Sequence, residues 1–427
     1  VTQLIDDLQW RGLVHQVTDL PGLSGLLEGA QVSAYIGFDP TADSLHVGHL
    51  QQILLLRRLQ EAGHRPIALV GGGTGMIGDP SGKSEERNLL DAGTLERHRD
   101  GIGAQLARFL DFGDGSDDRA VLADNVEWLG TVPLLEFLRD VGKVFSVNEM
   151  IRKDSVRARL EGREQGLSFT EFSYMLLQAW DFLQLHDRFG CRLQLGGSDQ
   201  WGNITEGADL IRRRRSVQAF GLTSPLVVKA DGTKFGKTES GAVWLAAGRT
   251  SPYEFFQFWL RTADAEVPGF LRRFTFLDVA AIEALEAEGA EHPERRTGQR
   301  TLARQVTGMV HGTDEAARAE RAAAVLFTED VATLDPIDLG AALADAPTTV
   351  VAAGELAGGI ALVDALVRTG LASSRGQARQ LVSQGGVSIN NRRTAGEDDL
   401  IGADALHGRW ILLRRGRANQ AVLLVEP

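Results

Sequence analysis

Tyr35-Ile36-Gly37-Phe38-Asp39-Pro40-Thr41-Ala42-Asp43-Ser44-Leu45-His46-Val47-Gly48-His49-Leu50 is the stretch that decides the fold. Val32, Ala34, Ile36 and Phe38 alternate with Ser33, Tyr35 and Gly37, which is the period of a strand. Asp39-Pro40 stops that strand, because proline cannot continue the ladder and its ring restricts the residue before it. Asp43 or Ser44 is then the expected cap of a helix carrying Leu50, Ile53, Leu54, Leu55, Leu56 and Leu59. A strand, a short loop and a helix start make the geometry in which α/β proteins hold anions and nucleotides. His46 and His49, three apart on the first turn, point to the same side. Gly48 between them has no Cβ and lets a ligand approach the backbone. A metal pair is disfavoured, since Cys191 is the one cysteine and no acidic third ligand stands at a familiar spacing.

Working outward, 427 residues suffice for two or three domains at about 100–200 residues each. The composition is that of an ordinary globular protein. No run nears ~18 uninterrupted apolar residues, so no membrane span is expected. The first residues carry Asp6, Asp7 and Arg11 and lack the apolar core of a signal peptide. One cysteine permits no internal disulfide, and the expected compartment is the cytoplasm. A net charge of −12 argues against a protein that coats nucleic acid indiscriminately, yet not against one with a local basic surface. Arg212 to Arg215 form one basic run, most simply a solvated helix face.

Residues 1–31 read as a helix and a loop ending in Pro21-Gly22. Pro66 to Val70 is a continuous apolar run, expected for a strand buried on both faces. It ends in a loop from Gly71 to Lys83 whose glycines make room for a ligand and whose evident carboxylate is Asp79. Gly73, Gly75 and Gly78 match the dinucleotide pattern by letter, but Asp79-Pro80 follows where the helix should continue. Gly82-Lys83-Ser84 matches only the end of a Walker loop, since Ile77 stands where the first glycine belongs. Residues 88–125 suggest a helix, an Asp/Gly-rich loop and a strand from Ala120 to Ala123. The apolar spacing from Trp128 to Leu160 predicts a helical insertion, of a kind that often meets a partner subunit.

Ser168 followed by Glu171 is a capping box, so a helix begins there. Its apolar surround, from Met175 to Leu183, predicts burial. Tyr174, Gln178 and Asp181 share one face, and buried polar groups need partners, so a small polar ligand is the expected one. Cys191 to Leu195, which includes Gln194, reads as a strand ending in Gly196-Gly197-Ser198-Asp199-Gln200-Trp201-Gly202-Asn203. A further strand is expected at Leu226-Val227-Val228, leading to Lys234-Phe235-Gly236-Lys237-Thr238, a loop suited to clamping polyphosphate. From Pro252 to about residue 335 the pattern is helical, and 340–359 reads as a linker. Residues 361–427 hold nine arginines against six acids, a small basic module that fits nucleic-acid contact.

His46-Val47-Gly48-His49 after the first strand and Lys234 to Thr238 after the last resemble the two signatures of class I aminoacyl-tRNA synthetases. With Tyr35 to Thr41, the Gly78 to Gly82 loop, Phe172 to Asp181 and Gly196 to Asn203, the chain resembles the bacterial tyrosyl-tRNA synthetases throughout. Its tail resembles their S4-type RNA-binding domain. The resemblance implies an α/β class: a Rossmann-like parallel-sheet domain over 1–225 with a helical insertion at about 126–165. It implies a clamp loop and α-helical domain over 226–338, a linker over 339–359 and an α+β S4-like domain over 360–427. It assigns the substrate phenol to Tyr35 and Asp181, and the α-ammonium to Asp79, Tyr174 and Gln178, with Gln194 also at the tyrosine. It places Gly37, Asp39, His46, Gly48, His49, Gly197, Asp199 and Gln200 around ATP and Thr41 near its γ-phosphate. Lys83, Arg87, Lys234, Lys237 and Thr238 would hold pyrophosphate. ATP with Mg²⁺, L-tyrosine and tRNA(Tyr) are the implied substrates, with no protein-bound metal, and a homodimer is the implied assembly. The clamp departs from the commoner lettering at Phe235-Gly236 and Thr238, and Gln51-Gln52 leave the ribose contact open. A tryptophan-specific synthetase shares both signatures, but Tyr35 with Asp181 favours a phenol, whereas an indole needs one acceptor. An inactive RNA-binding relative would have lost the histidines or the clamp lysines, and this chain keeps them.

Overall fold

The computed structural model describes all residues except 1–2, 80–90, 114–117, 154–155, 158–167, 229–234, 239–240, 326–330, 332–335, 344–345, 417–418 and 427. The chain gathers into two units, Val1–Thr250 with Thr262–Leu302, and Ser251–Arg261 with Ala303–Pro427.

The first unit is built on a sheet of β1 (Gln16–Val17), β2 (Ser33–Phe38), β3 (Arg65–Val70), β4 (Val121–Asp124), β5 (Cys191–Gly197) and β6 (Phe220–Ser224). Their order is β1-β6-β5-β2-β3-β4. Strands β2 to β6 are parallel, and β1 lies antiparallel along β6. The chain steps outward from β2 through β3 to β4, then returns to lay β5 on the other side of β2. Connections therefore diverge between β2 and β5, which opens a crevice at the carboxyl ends of these strands. Tyr35 pairs with Ile67 on one side and with Gln194 on the other, so Tyr35 and Gln194 flank that crevice.

The apolar runs behave as their patterns require. The Val47–Glu61 helix buries Leu50, Ile53, Leu54, Leu55, Leu56 and Leu59, and β3 is buried from Pro66 to Val70. The Phe169–Phe189 helix starts on the Ser168/Glu171 capping box and stops at Gly190, whose φ of 63° is the left-handed cap geometry that glycine tolerates. Other expectations change. Pro21 is the second residue of a Leu20–Gly29 helix capped by Asp19, where a fixed φ is favourable, and not the end of a loop. The insertion is broken at Pro133 and Gly142 into Val126–Leu129, Leu134–Asp140 and Val147–Ile151. The last parallel strand is β6, not Leu226-Val227-Val228, where Leu226 and Val228 are exposed. Pro225 sits between the two and cannot donate to a ladder.

The helices expected as one domain over 226–338 are shared between the units. Val267–Phe274 and Val279–Glu291 belong to the first, and Pro252–Leu260 and Thr313–Val325 to the second. The hairpin β7 (Lys237–Thr238) and β8 (Gly241–Ala242) closes the clamp segment in the first unit.

In the second unit, β9 (Thr348–Ala352), β11 (Val387–Ile389), β12 (Arg392–Arg393), β14 (Trp410–Arg415) and β15 (Asn419–Glu426) form a sheet of order β12-β11-β14-β15-β9. A second pairing joins β10 (Ile360–Ala361) to β13 (Leu400–Ile401). Asn390 and Asn391, with φ of 48° and 65°, make the expected turn between β11 and β12. The Leu362–Arg368 and Arg375–Ser383 helices cover one face, burying Leu366, Ala378, Leu413 and Leu423. The expected linker is instead structural: β9 pairs in parallel with β15, and Leu339 and Leu343 bury the other face with Leu412 and Val422. A fragment spanning 331–427 is therefore expected to melt cooperatively by circular dichroism. A fragment spanning 360–427 exposes the β15 edge and this apolar face, and each uncovered Leu or Val forfeits about 1.5–3 kcal/mol. Its melt should be broad or absent.

Candidate active site

The carboxyl ends of β2, β3, β4 and β5 bring together residues that lie far apart in sequence. At the base of the crevice stands Tyr35, 1% exposed, whose hydroxyl is buried with no hydrogen-bond partner. Burial first, and then the charge of Asp181, hold this phenol well above its ordinary pKa, so it is neutral. Asp181, 2% exposed, accepts from Asn125 Nδ2 at 2.9 Å and from Trp128 Nε1 at 2.7 Å. Burial raises its pKa to about 7 against the lowering effect of these two donors. Gln194 is also buried, with its Oε1 unpartnered. Three buried polar groups thus lie together, two of them with hydrogen-bonding capacity unspent. Such groups cost stability unless a ligand completes them.

One step outward, Gln178 Oε1 accepts from Asn203 Nδ2 at 2.9 Å, and the same amide reaches Gln200 Oε1 at 3.2 Å. Gln200 Nε2 in turn donates to Asp79 Oδ2 at 2.8 Å and to Asp199 Oδ2 at 3.4 Å. Tyr174 is buried on the same helix as Gln178 and Asp181. Asp79, Gln178 and Tyr174 supply the carboxylate and oxygens that an ammonium needs. Gly37, the last residue but one of β2, faces open space, and a Cβ at Gly197 would lie 2.5 Å from Asp199 Oδ1, so both glycines keep the crevice clear. Asp39 is half-buried and Thr41 exposed at the rim.

The histidines correct the expected cap. His46, not Asp43 or Ser44, caps the Val47–Glu61 helix. Its Nδ1 accepts from the Gly48 N–H at 3.0 Å, and His49 Nδ1 accepts from the His46 N–H at 3.3 Å. A main-chain N–H can only donate, so both Nδ1 atoms carry lone pairs and both protons sit on Nε2. The rings lie 4.0 Å apart, as the shared-face spacing predicts. The pair therefore places two N–H groups at a helix start. A Cβ on Gly48 would fall 2.7 Å from His46 Cε1, so glycine is required there. Ser44 is instead a buried hub that accepts from Gln105 Nε2 at 2.9 Å and donates to the Leu45 carbonyl at 2.8 Å.

Lys83, Arg87 and Lys234 lie outside the described residues, and only the backbone of Lys237 and Thr238 is described. Sequence reasoning missed Asn125, Trp128 and Asn203 as site residues. Asn125 also accepts from the Gly73 N–H at 2.7 Å, tying Asp181 to the glycine loop. Its signal was its place directly after β4, the position at which the neighbouring strands also deliver site residues. The four arginines are a solvated face, with Arg212 and Arg213 paired to Asp209, Arg214 to Asp140 and Arg215 to Asp187. Among the described residues no helix is long and apolar enough to cross a membrane.

Comparison with known proteins bears on both units. Residues 27–328 match the family described as tRNA synthetases class I (W and Y). Residues 338–423 match the tyrosine–tRNA ligase SYY-like C-terminal domain. The tyrosine–tRNA ligase of Roseiflexus castenholzii is 53% identical over 98% of this chain and 98% of its own. That of Geobacillus stearothermophilus is 51% identical over 97% of each. Among solved structures, a C-terminally truncated mitochondrial tyrosyl-tRNA synthetase of Aspergillus nidulans superposes with a TM-score of 0.69. It is 33% identical and covers 77% of this chain and 95% of that one. A tryptophanyl-tRNA synthetase from Encephalitozoon cuniculi, 15% identical with a TM-score of 0.53, shares the fold alone. With both stretches matched and relatives half identical along nearly their whole length, the chain belongs to the class I aminoacyl-tRNA synthetases, in their tyrosyl branch.

Proposed function

We propose that the crevice between β2 and β5 binds L-tyrosine with its phenol against Tyr35 and Asp181 and its ammonium toward Asp79, Tyr174 and Gln178. The observation that carries this reading is the buried, unpartnered hydroxyl of Tyr35 within range of the Asp181 charge. An incoming phenol donates to the carboxylate and accepts from Tyr35, completing both. As a tyrosine–tRNA ligase, the enzyme activates tyrosine with ATP and passes it to tRNA. ATP enters with Mg²⁺ and lies along Gly37, Asp39, Gly48, Gly197, Asp199 and Gln200. Thr41 lies near the γ-phosphate, and His46 and His49 donate to the phosphates. A carboxylate oxygen of tyrosine attacks the α-phosphorus, and the bond to the β-phosphate oxygen breaks as pyrophosphate leaves. No side chain acts as nucleophile; the rate comes from positioning and from donors aimed at the developing charge. Lys83, Arg87, Lys234, Lys237 and Thr238 take the charge of the leaving group. A terminal ribose hydroxyl of tRNA(Tyr), bound in part by the basic 360–427 module, then displaces AMP, and the reaction belongs to the cytoplasm.

Pyrophosphate exchange into ATP, with tyrosine, phenylalanine or tryptophan and no tRNA, tests the assignment. Exchange with tyrosine alone is expected. Exchange with tryptophan alone overturns the phenol reading, and none from protein that binds ATP points to an inactive RNA-binding relative.

We further propose a homodimer through the insertion. Leu135 and Phe169 are 80% and 79% exposed, and Leu134, Leu138, Val147 and Ile151 are exposed beside them. Leu134, Leu138, Val147 and Phe169 line an apolar groove of about 640 Å³ with Phe137 and Leu176. So large an apolar patch on one surface marks an interface. Leu135→Glu together with Phe169→Glu is expected to sediment as a monomer at concentrations where the parent sediments as a dimer.

A further inference from the structure

The segment that follows the β7–β8 hairpin is zipped antiparallel to the histidine strap. The Val47 N–H donates to the Val243 carbonyl at 3.0 Å, the Leu245 N–H to the Leu45 carbonyl at 2.8 Å, and the Ala246 N–H to Ser44 Oγ at 3.2 Å. His46 and Trp244 stand opposite each other in this pairing. Opposed residues of an antiparallel pair share a face and pack together. The Trp244 ring accordingly meets His46 edge-on, with centroids 5.9 Å apart and planes at 69°. His46 is thus held between His49 on one side and Trp244 on the other.

Trp244 is itself braced. The Arg249 guanidinium lies 4.8 Å from its ring centroid and is bonded to Asp43 at 2.6 Å, on the loop that leads into His46. The Trp244 main-chain N–H donates to Thr250 Oγ1 at 3.0 Å. A half-buried tryptophan outside the apolar core, stacked on its own cation, is an expensive way to fill space. The hydrogen bond to Nδ1 anchors one atom of the His46 ring, and the indole edge bears on the tilt of the ring about that anchor. We propose that Trp244 is a positioning residue that fixes the His46 imidazole, so that its Nε2–H meets the phosphates of ATP as the adenylate forms. The proposal rests on the reading of His46 as a phosphate donor. It also links the two synthetase signatures, since Trp244 follows the clamp hairpin directly in the chain.

Trp244→Leu, which keeps apolar bulk and removes the ring, is the test, with Trp244→Phe as the conservative partner and His46→Asn as the second background. Displaced donors cost one to two orders of magnitude, so the leucine variant should lose about tenfold in kcat for pyrophosphate exchange. Its tyrosine KM and equilibrium tyrosine binding should stay within about twofold of the parent, and phenylalanine should restore most of the rate. In the His46→Asn background the leucine substitution should add less than about a twofold loss, because the ring it positions is gone. A full second tenfold loss in that background overturns the proposal, as does a leucine variant as fast as the parent. A His46→Asn enzyme as fast as the parent overturns the phosphate role of His46 itself, which separates failure of that reading from failure of this one.

Discussion

Asp181→Ala is expected to lower kcat/KM for tyrosine-dependent exchange by about 10³-fold or more and to collapse the preference for tyrosine over phenylalanine. Sites built to hydrogen-bond a hydroxyl reject the analogue lacking it by about 10⁴–10⁵, the upper value being one known for tyrosyl enzymes as a class rather than one obtained for this chain. The cause is the unpaired state of buried polar groups when the hydroxyl is missing. Removing the Asp181 carboxylate strands Trp128 Nε1 and one hydrogen of Asn125 Nδ2, whose other hydrogen stays on Thr74 Oγ1, at about 1–3 kcal/mol each. Only the Tyr35 hydroxyl then distinguishes tyrosine from phenylalanine at this position, and the two amino acids should exchange within about tenfold of each other. Exchange assays with both amino acids decide it, and an undiminished preference would move the selectivity elsewhere.

The same carboxylate makes a pH signature. Burial raises the Asp181 pKa to about 7, so near neutrality the empty site is partly protonated. A phenol that donates to the carboxylate favours its ionised form, so binding expels a proton. Tyrosine KM should therefore rise as pH falls below about 7 and level off above it, while the KM for ATP does not follow. Stability runs the other way. A carboxyl whose folded pKa is raised binds a proton that the unfolded chain has already lost between about 4 and about 7. Its stabilising contribution is full below that window and is lost as pH rises through it. Asp181→Asn should flatten both profiles.

His46→Asn and His49→Asn are each expected to cut kcat for exchange by about 10²-fold, the usual cost of one donor aimed at transition-state charge. Asparagine is chosen because its Oδ1 can replace Nδ1 as acceptor of the main-chain N–H while offering nothing at the position of Nε2–H. Asparagine is also a good helix cap, so the melting temperature should hardly move. The split between rate and stability separates chemistry from capping. Alanine at either position should lower both.

The sequence was most legible where a local rule coincides with the site. The alternation into Asp39-Pro40, the Ser168/Glu171 box and the Asn390-Asn391 turn are each decided by neighbouring residues, and each is where it was expected. β6 was hidden because Phe220-Gly221-Leu222-Thr223-Ser224 carries no apolar run, although every residue in it is buried between β1 and β5. A glycine, a threonine and a serine satisfy that strand because helix residues crowd it; a Cβ at Gly221 would collide with Ile204. β9 was hidden because Ala, Thr and Val in a short stretch describe a strand or a linker equally well until β15 offers its edge. Asn125, Trp128 and Asn203 were hidden for a different reason. They touch other protein side chains that would in turn touch the substrate, and no spacing along the chain records such a contact.

The antiparallel zipper between the histidine strap and the segment after the clamp joins residues as far apart as Ser44 and Ala246, a separation of 202 positions. Closing so long a loop comes late, whether the chain refolds from denaturant or leaves the ribosome from its N-terminus. Every strand of the nucleotide-binding sheet, with Tyr35, Asn125, Asp181 and Gln194, is complete by Ser224. A growing chain thus has the parts of the proposed amino-acid cleft before it can brace the histidines against Trp244. An unfinished polypeptide would hold these strand-borne groups while lacking the braced strap.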